Sequence, residues 1–108
     1  MIEKPAQINR LFSRVRSPQG VWVAWQALAE RVVSRVSNLS FGGMFICTPN
    51  PPPMGAAVSL LFSVPEGEIR IQSVVRNVDP DNGMGIQFTS IADEDRVRLE
   101  KLIKRLRQ

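Results

Sequence analysis

Asn38-Leu39-Ser40-Phe41-Gly42-Gly43 is the stretch on which the rest of the chain is organised, with a strand-like run (residues 31–40) leading into it and the apolar run Met44-Phe45-Ile46 leaving it. Asn38 and Ser40 stand two apart, so on an extended backbone both side chains point to one face. Gly42 and Gly43 follow, where a chain can turn tightly or admit a close neighbour to its backbone. Asn, Ser and Gly are also the commonest turn formers for local reasons, so alone the stretch reads as a strand ending in a turn. Upstream, Arg10-Leu11-Phe12-Ser13-Arg14 sets two arginines four apart in a segment too polar for core. Arginine forks, a small polar pair and glycines together can hold a phosphate-bearing ligand, which moves the reading toward a site.

Around this stretch the apolar residues keep a strand period. Val21-Trp22-Val23-Ala24-Trp25 reads as a first strand with Val21, Val23 and Trp25 on one face. The run 31–40 breaks phase, because Val32 and Val36 fall on one parity and Val33 and Leu39 on the other. Strict alternation cannot bury all four, and a bulge between Val36 and Asn38 reconciles them. Met44 to Thr48 reads as a third strand. Pro49-Asn50-Pro51-Pro52-Pro53 cannot sit in a central ladder, since proline has no N–H to donate, and reads as a stiff connection.

Val58, Leu60, Phe62 and Val64 then share a face, as do Ile69, Ile71 and Val75, with the turn Pro65-Glu66-Gly67-Glu68 between the two runs. Asn82-Gly83 is a hairpin signal, and Met84, Ile86 and Phe88 share a face beyond it. Six apolar runs punctuated by turns predict a small all-β sandwich or barrel.

The period changes at the end. Leu99, Leu102, Ile103 and Leu106 repeat at helical spacing, one apolar stripe on an amphipathic helix. Ser90-Ile91-Ala92-Asp93 fits a capping box, with Asp93, Glu94 and Asp95 at the positive helix end. The stripe is narrow and has no aromatic anchor, which favours packing on the barrel over a membrane role.

Composition narrows the function. A length of 108 residues suits one domain with one core. No apolar run approaches the roughly 20 residues of a membrane span, and Met1-Ile2-Glu3-Lys4-Pro5-Ala6-Gln7 lacks the apolar core of a signal peptide, so a cytoplasmic location is expected. Cys47 is the lone cysteine and there is no histidine, so no internal disulfide and no metal site are expected. A serine triad or Cys–His dyad cannot be built, and an enzyme is the least supported class. The net charge of +4 is concentrated at the two ends, which attract anions of any kind.

Arg10-Leu11-Phe12-Ser13-Arg14, followed about two dozen residues later by Asn38-Leu39-Ser40-Phe41-Gly42-Gly43, resembles the Arg-x-x-x-Arg and Asp/Asn-x-Ser-x-x-Gly motifs of the PilZ domain. The resemblance runs on through Met44 to Cys47, the proline-rich connection, Gly83 to Phe88 and the terminal helix, from about Asn9 onward. It implies a mainly β fold: a small six-stranded antiparallel β-barrel with a C-terminal α-helix. One domain is expected, with a flexible N-terminal arm over 1–20, the barrel over 21–90 and the helix over 91–108.

The same resemblance implies binding of cyclic di-GMP, with no cofactor and no catalysis. Arg10 and Arg14 would divide the grip on phosphate and a guanine edge, both of which match the guanidinium fork. Asn38 and Ser40 would hydrogen-bond a guanine, and Gly43 would keep the backbone clear. Arg16 lies outside the motif and is a helper candidate. Asn38 stands where many relatives carry Asp, which bears on affinity, since an amide lacks the charge that favours guanine N1–H and N2–H₂. Leu11 and Phe12 are more apolar than a free arm needs and would dock it on the barrel.

The expected output is a conformational change passed to an unidentified protein partner. A PilZ-like adaptor that binds protein without nucleotide is the second reading. A nucleic-acid-binding barrel is the third, disfavoured because five Phe, two Trp and no Tyr leave few rings for base stacking. Trp22, off the apolar parity, could stack on a base or pack under the arm.

Overall fold

In the computed structural model, which describes residues 15–16, 21–28 and 30–107, the apolar parity of each strand faces one interior. The elements are β1 (Val15–Arg16), β2 (Trp22–Ala27), β3 (Glu30–Leu39), β4 (Gly43–Cys47), β5 (Ala57–Val64), β6 (Gly67–Asp79), β7 (Gly83–Ile91) and α1 (Asp93–Leu106). Neighbouring strands run in the order β1-β3-β2-β5-β6-β7-β4, and a further β3–β4 pairing closes the ring. The result is the expected closed six-stranded antiparallel barrel, β2 to β7, with one C-terminal helix. Closure leaves the barrel strands no long free edge to recruit another chain.

The bulge expected on β3 is present. Val36 pairs with Ile46 but Asn38 pairs with Phe45, a register shift between Val36 and Asn38. It lets Val36 and Leu39 both point inward at 0% exposure while Val33, on the outer parity, remains 62% exposed. β3 pairs with β2 from Glu30 to Arg35 and with β4 from Val36 to Leu39, across the bulge.

Val23, Trp25, Val58, Leu60, Phe62, Ile69, Ile71, Val75, Met84 and Ile86 fill the interior as their alternation requires. Two serines stand on these inward faces. Trp25 Nε1 donates to Ser34 Oγ at 2.9 Å, and Ser73 Oγ donates to the Val58 carbonyl at 2.8 Å. Each buried polar group therefore has a partner, without which its burial would be unfavourable.

Leu99, Leu102 and Ile103 join the same core, so the helix packs by its apolar stripe, principally over β6. Full burial of side chains of this size contributes roughly 1.5–3 kcal/mol each, more than helix propensity alone could. Arg105 Nε and Nη2 donate to both carboxylate oxygens of Glu66 in the β5–β6 turn, at 2.6 and 3.1 Å. Arg98 Nη1 reaches the Glu68 carbonyl and Asp95 Oδ1, each at 3.3 Å. Among the described residues no helix is long and apolar enough to cross a membrane.

Two local expectations change. β7 extends to Ile91 and the N-cap is Ala92 with no side-chain cap, so Ser90 belongs to a strand and no capping box forms. The first turn keeps Asp93, Glu94 and Asp95, which complement the helix dipole directly. At the β6–β7 turn the positive φ of 69° is carried by Asp81, while Gly83 already lies in β7. A Cβ at Gly83 would collide with the Ile46 carbonyl and the Phe45 ring, so this glycine serves strand packing. Of the segment expected to be a flexible arm, residues 1–20, only Val15 and Arg16 are described, as the strand β1, and the rest lies outside the described residues.

Candidate functional site

The β3–β4 connection is shaped by its own polar residues. The Ser40 N–H donates to the Gly43 carbonyl at 2.9 Å, and the Ser40 hydroxyl donates to the same oxygen at 3.2 Å. The Gly42 N–H donates back to Ser40 Oγ at 3.3 Å. Ser40 is 2% exposed, so its hydroxyl is engaged in holding the turn. The Gly42 carbonyl accepts from the Phe88 N–H at 2.9 Å, which ties the turn to β7. Gly43 is buried where a Cβ would run into the Ile86 carbonyl. The close approach expected at this glycine is thus one between β4 and β7.

Asn38 is half-buried just past the bulge, in register with Phe45 of β4 on one side and with Arg16 of β1 on the other. Val15 pairs with Leu39 in the same short ladder. Arg14 immediately precedes Val15 in the chain. Cross-strand Cα partners lie about 4.5–5.5 Å apart and consecutive Cα atoms about 3.8 Å. The ladder therefore sets Val15, the residue that follows the Arg-x-x-x-Arg motif, against Leu39 of the Asn-x-Ser-x-x-Gly motif. Arg10 and Arg14 themselves lie outside the described residues, as does the side chain of Arg16.

Beside Asn38 the outer wall of β3 and β4 forms an open depression of about 490 Å³. Arg35 and Ser37 of β3 and Phe45 and Cys47 of β4 line it, with Asp81 and Asn82 from the β6–β7 turn. Arg35, two residues from Ser37 on an outward parity, brings a cation to this wall that motif reading passed over. Trp22 pairs with Arg35 and is 52% exposed on the outer surface. The wall thus combines a guanidinium, hydroxyl and amide donors and aromatic faces. The Asp81 carboxylate faces the same depression.

A family model for the PilZ domain matches residues 9–105. The chain belongs to the PilZ domain family. Solved structures agree on the fold. The PilZ domain of YcgR from Escherichia coli, solved with c-di-GMP, superposes with a TM-score of 0.74 at 15% identity, covering 91% of each chain. MrkH of K. pneumonia, in a c-di-GMP complex, gives a TM-score of 0.73 at 22% identity over 91% of this chain. This chain spans about half of that one, 51%. The Bacillus subtilis inhibitor of motility MotI/DgrA gives 0.71 at 24% identity, covering 95% of this chain and 56% of that one. No curated protein matches the chain.

Proposed function

We propose that this PilZ domain is a receptor for cyclic di-GMP. The observation that carries the reading is the β1–β3 ladder, which anchors the residue following Arg14 beside Leu39 and Asn38. Membership of the family supports it, and so do the c-di-GMP complexes of the similar YcgR and MrkH proteins. Arg10 and Arg14 grip phosphate and a guanine edge, Asn38 hydrogen-bonds a guanine, and Ser40 and Gly43 hold the turn that presents Asn38. Arg16 assists from β1. No bond of the ligand is made or broken. Binding rearranges the segment that carries the two arginines and so changes the surface offered to a protein partner.

Calorimetric titration with cyclic di-GMP, beside an Arg14→Ala variant, tests the reading. A charge-assisted contact contributes roughly 1.5–3 kcal/mol, so the variant binds at least about tenfold more weakly. Absence of heat and of thermal shift at saturating ligand would sink the proposal and leave the protein-adaptor reading in its place.

A further inference from the structure

The β3–β4 turn has a second face. Phe41, one residue after Ser40, is 39% exposed and turns toward α1. Together with Val97 (49% exposed) and the otherwise buried Ile103 it floors a groove of about 360 Å³. Lys101, Lys104 and Arg107 rim it. Val97, Lys101 and Lys104 follow one another at i, i+4 and i+7, so they share a helix face.

The helix divides its cations. Arg98 and Arg105 are spent on the β5–β6 turn and the first strand residues beyond it. The side chains of Lys101, Lys104 and Arg107 make no ion pair or hydrogen bond among the described residues. Among the described residues Glu100 is the one carboxylate lining the groove, against three cations. The excess is enough to attract an anion even with the negative end of the helix dipole nearby.

From these features we infer that the groove is a docking site for an acidic protein segment carrying a bulky apolar side chain. The apolar side chain seats on Phe41, Val97 and Ile103, and its carboxylates meet Lys101, Lys104 and Arg107. A second copy of this chain is a poor occupant, because it would bring the same three cations against their own kind. A membrane surface is favoured less, because the apolar floor is concave and flanked by the turn, where a bilayer needs a protruding apolar face. The groove shares the Ser40–Gly43 turn with the nucleotide site, so its role in signalling rests on the receptor reading.

The test is a ¹⁵N-HSQC titration of the full chain with a synthetic amphipathic peptide of about 14 residues, long enough for marginal helix. Its apolar face is leucine and its polar face glutamate; a control peptide carries lysine for glutamate. The expected result is amide shifts at Phe41, Val97, Lys101 and Lys104 with the acidic peptide only. A Lys101→Glu/Lys104→Glu variant, checked for unchanged circular dichroism, then reverses the preference between the two peptides by about tenfold or more. Equal binding of both peptides, shifts confined to the barrel wall, or no binding overturns the inference. Tighter binding to phosphatidylglycerol vesicles than to the acidic peptide also overturns it, in favour of a lipid surface. Cyclic di-GMP titrated into the same charge-reversal variant binds as in wild type. In the wild-type chain, absence of peptide binding with nucleotide binding kept therefore refutes only the groove, and the reverse pattern refutes only the receptor reading.

Discussion

Gly43 lies so close to the carbonyl of Ile86 that no side chain fits between them. The obstructing atom is backbone, engaged in the β4–β7 ladder where Gly43 pairs with Gln87, so it cannot swing aside as a side chain could. Gly43→Ala should therefore lower stability by about 3 kcal/mol, the upper range for overpacking. In a domain of this size that is a fall in Tm of roughly 10 °C or more, read by thermal denaturation. Nucleotide affinity should fall only to the extent that the folded fraction does. A variant as stable as wild type would show that the strands can separate.

The buried pair Trp25–Ser34 makes a different prediction. Ser34→Ala leaves the indole N–H without its acceptor inside the barrel, at a cost of about 1–3 kcal/mol. Replacing Trp25 by Phe first should make the serine change much less costly, a coupling that a double-mutant cycle in urea measures. Additive costs would mean that the hydrogen bond at 2.9 Å contributes little.

The clamp between Arg105 and Glu66 makes stability depend on acid. The Arg105 guanidinium hydrogen-bonds the Glu66 carboxylate and holds its pKa below the ordinary 4.5, outweighing the opposing effect of burial. A carboxylate whose folded pKa is depressed stabilises the fold above its unfolded pKa and loses that contribution as pH falls through the folded value. Wild type should thus lose Tm faster than Glu66→Gln as pH drops below 4.5. Above that pH the variant should be the less stable by about 1 kcal/mol or less, since Arg105 is 45% exposed and screened. Parallel pH profiles would refute the clamp.

Asn38 offers a gain rather than a loss. Charge-assisted hydrogen bonds are about twice as strong as neutral ones. If Asn38 accepts from guanine N1–H and N2–H₂, Asn38→Asp should tighten cyclic di-GMP binding by about fivefold, measured by calorimetry at neutral pH. Unchanged or weaker affinity would place the guanine elsewhere on the wall.

Most of the barrel could be read from side-chain parity, because a core that excludes water forces apolar residues to alternate. The phase break on β3 was legible for the same reason: only a bulge lets Val36 and Leu39 share an interior. Parity says nothing of a polar residue that finds a partner across the barrel, so Ser34 and Ser73 went unread. Local rules failed where a neighbouring strand decided the outcome. Ser90 could not cap the helix because β7 had claimed it, and Gly83 served Ile46 and Phe45 in place of the turn. At the site, the motif pointed to Asn38, Ser40 and Gly43, but nothing local revealed that Ser40 faces inward or that Phe41 meets a helix over fifty residues downstream.

The two-residue strand β1 lies on the same edge of β3 as β2, so the chain enters the barrel along a line already drawn. Arg14 is joined by one peptide bond to Val15, which is paired in the β1–β3 ladder. For a short tether the effective local concentration reaches the order of millimolar. On the receptor reading, a ligand held at Asn38 would meet Arg14 at that concentration, and its capture would behave as an intramolecular step whatever the cellular abundance of the protein.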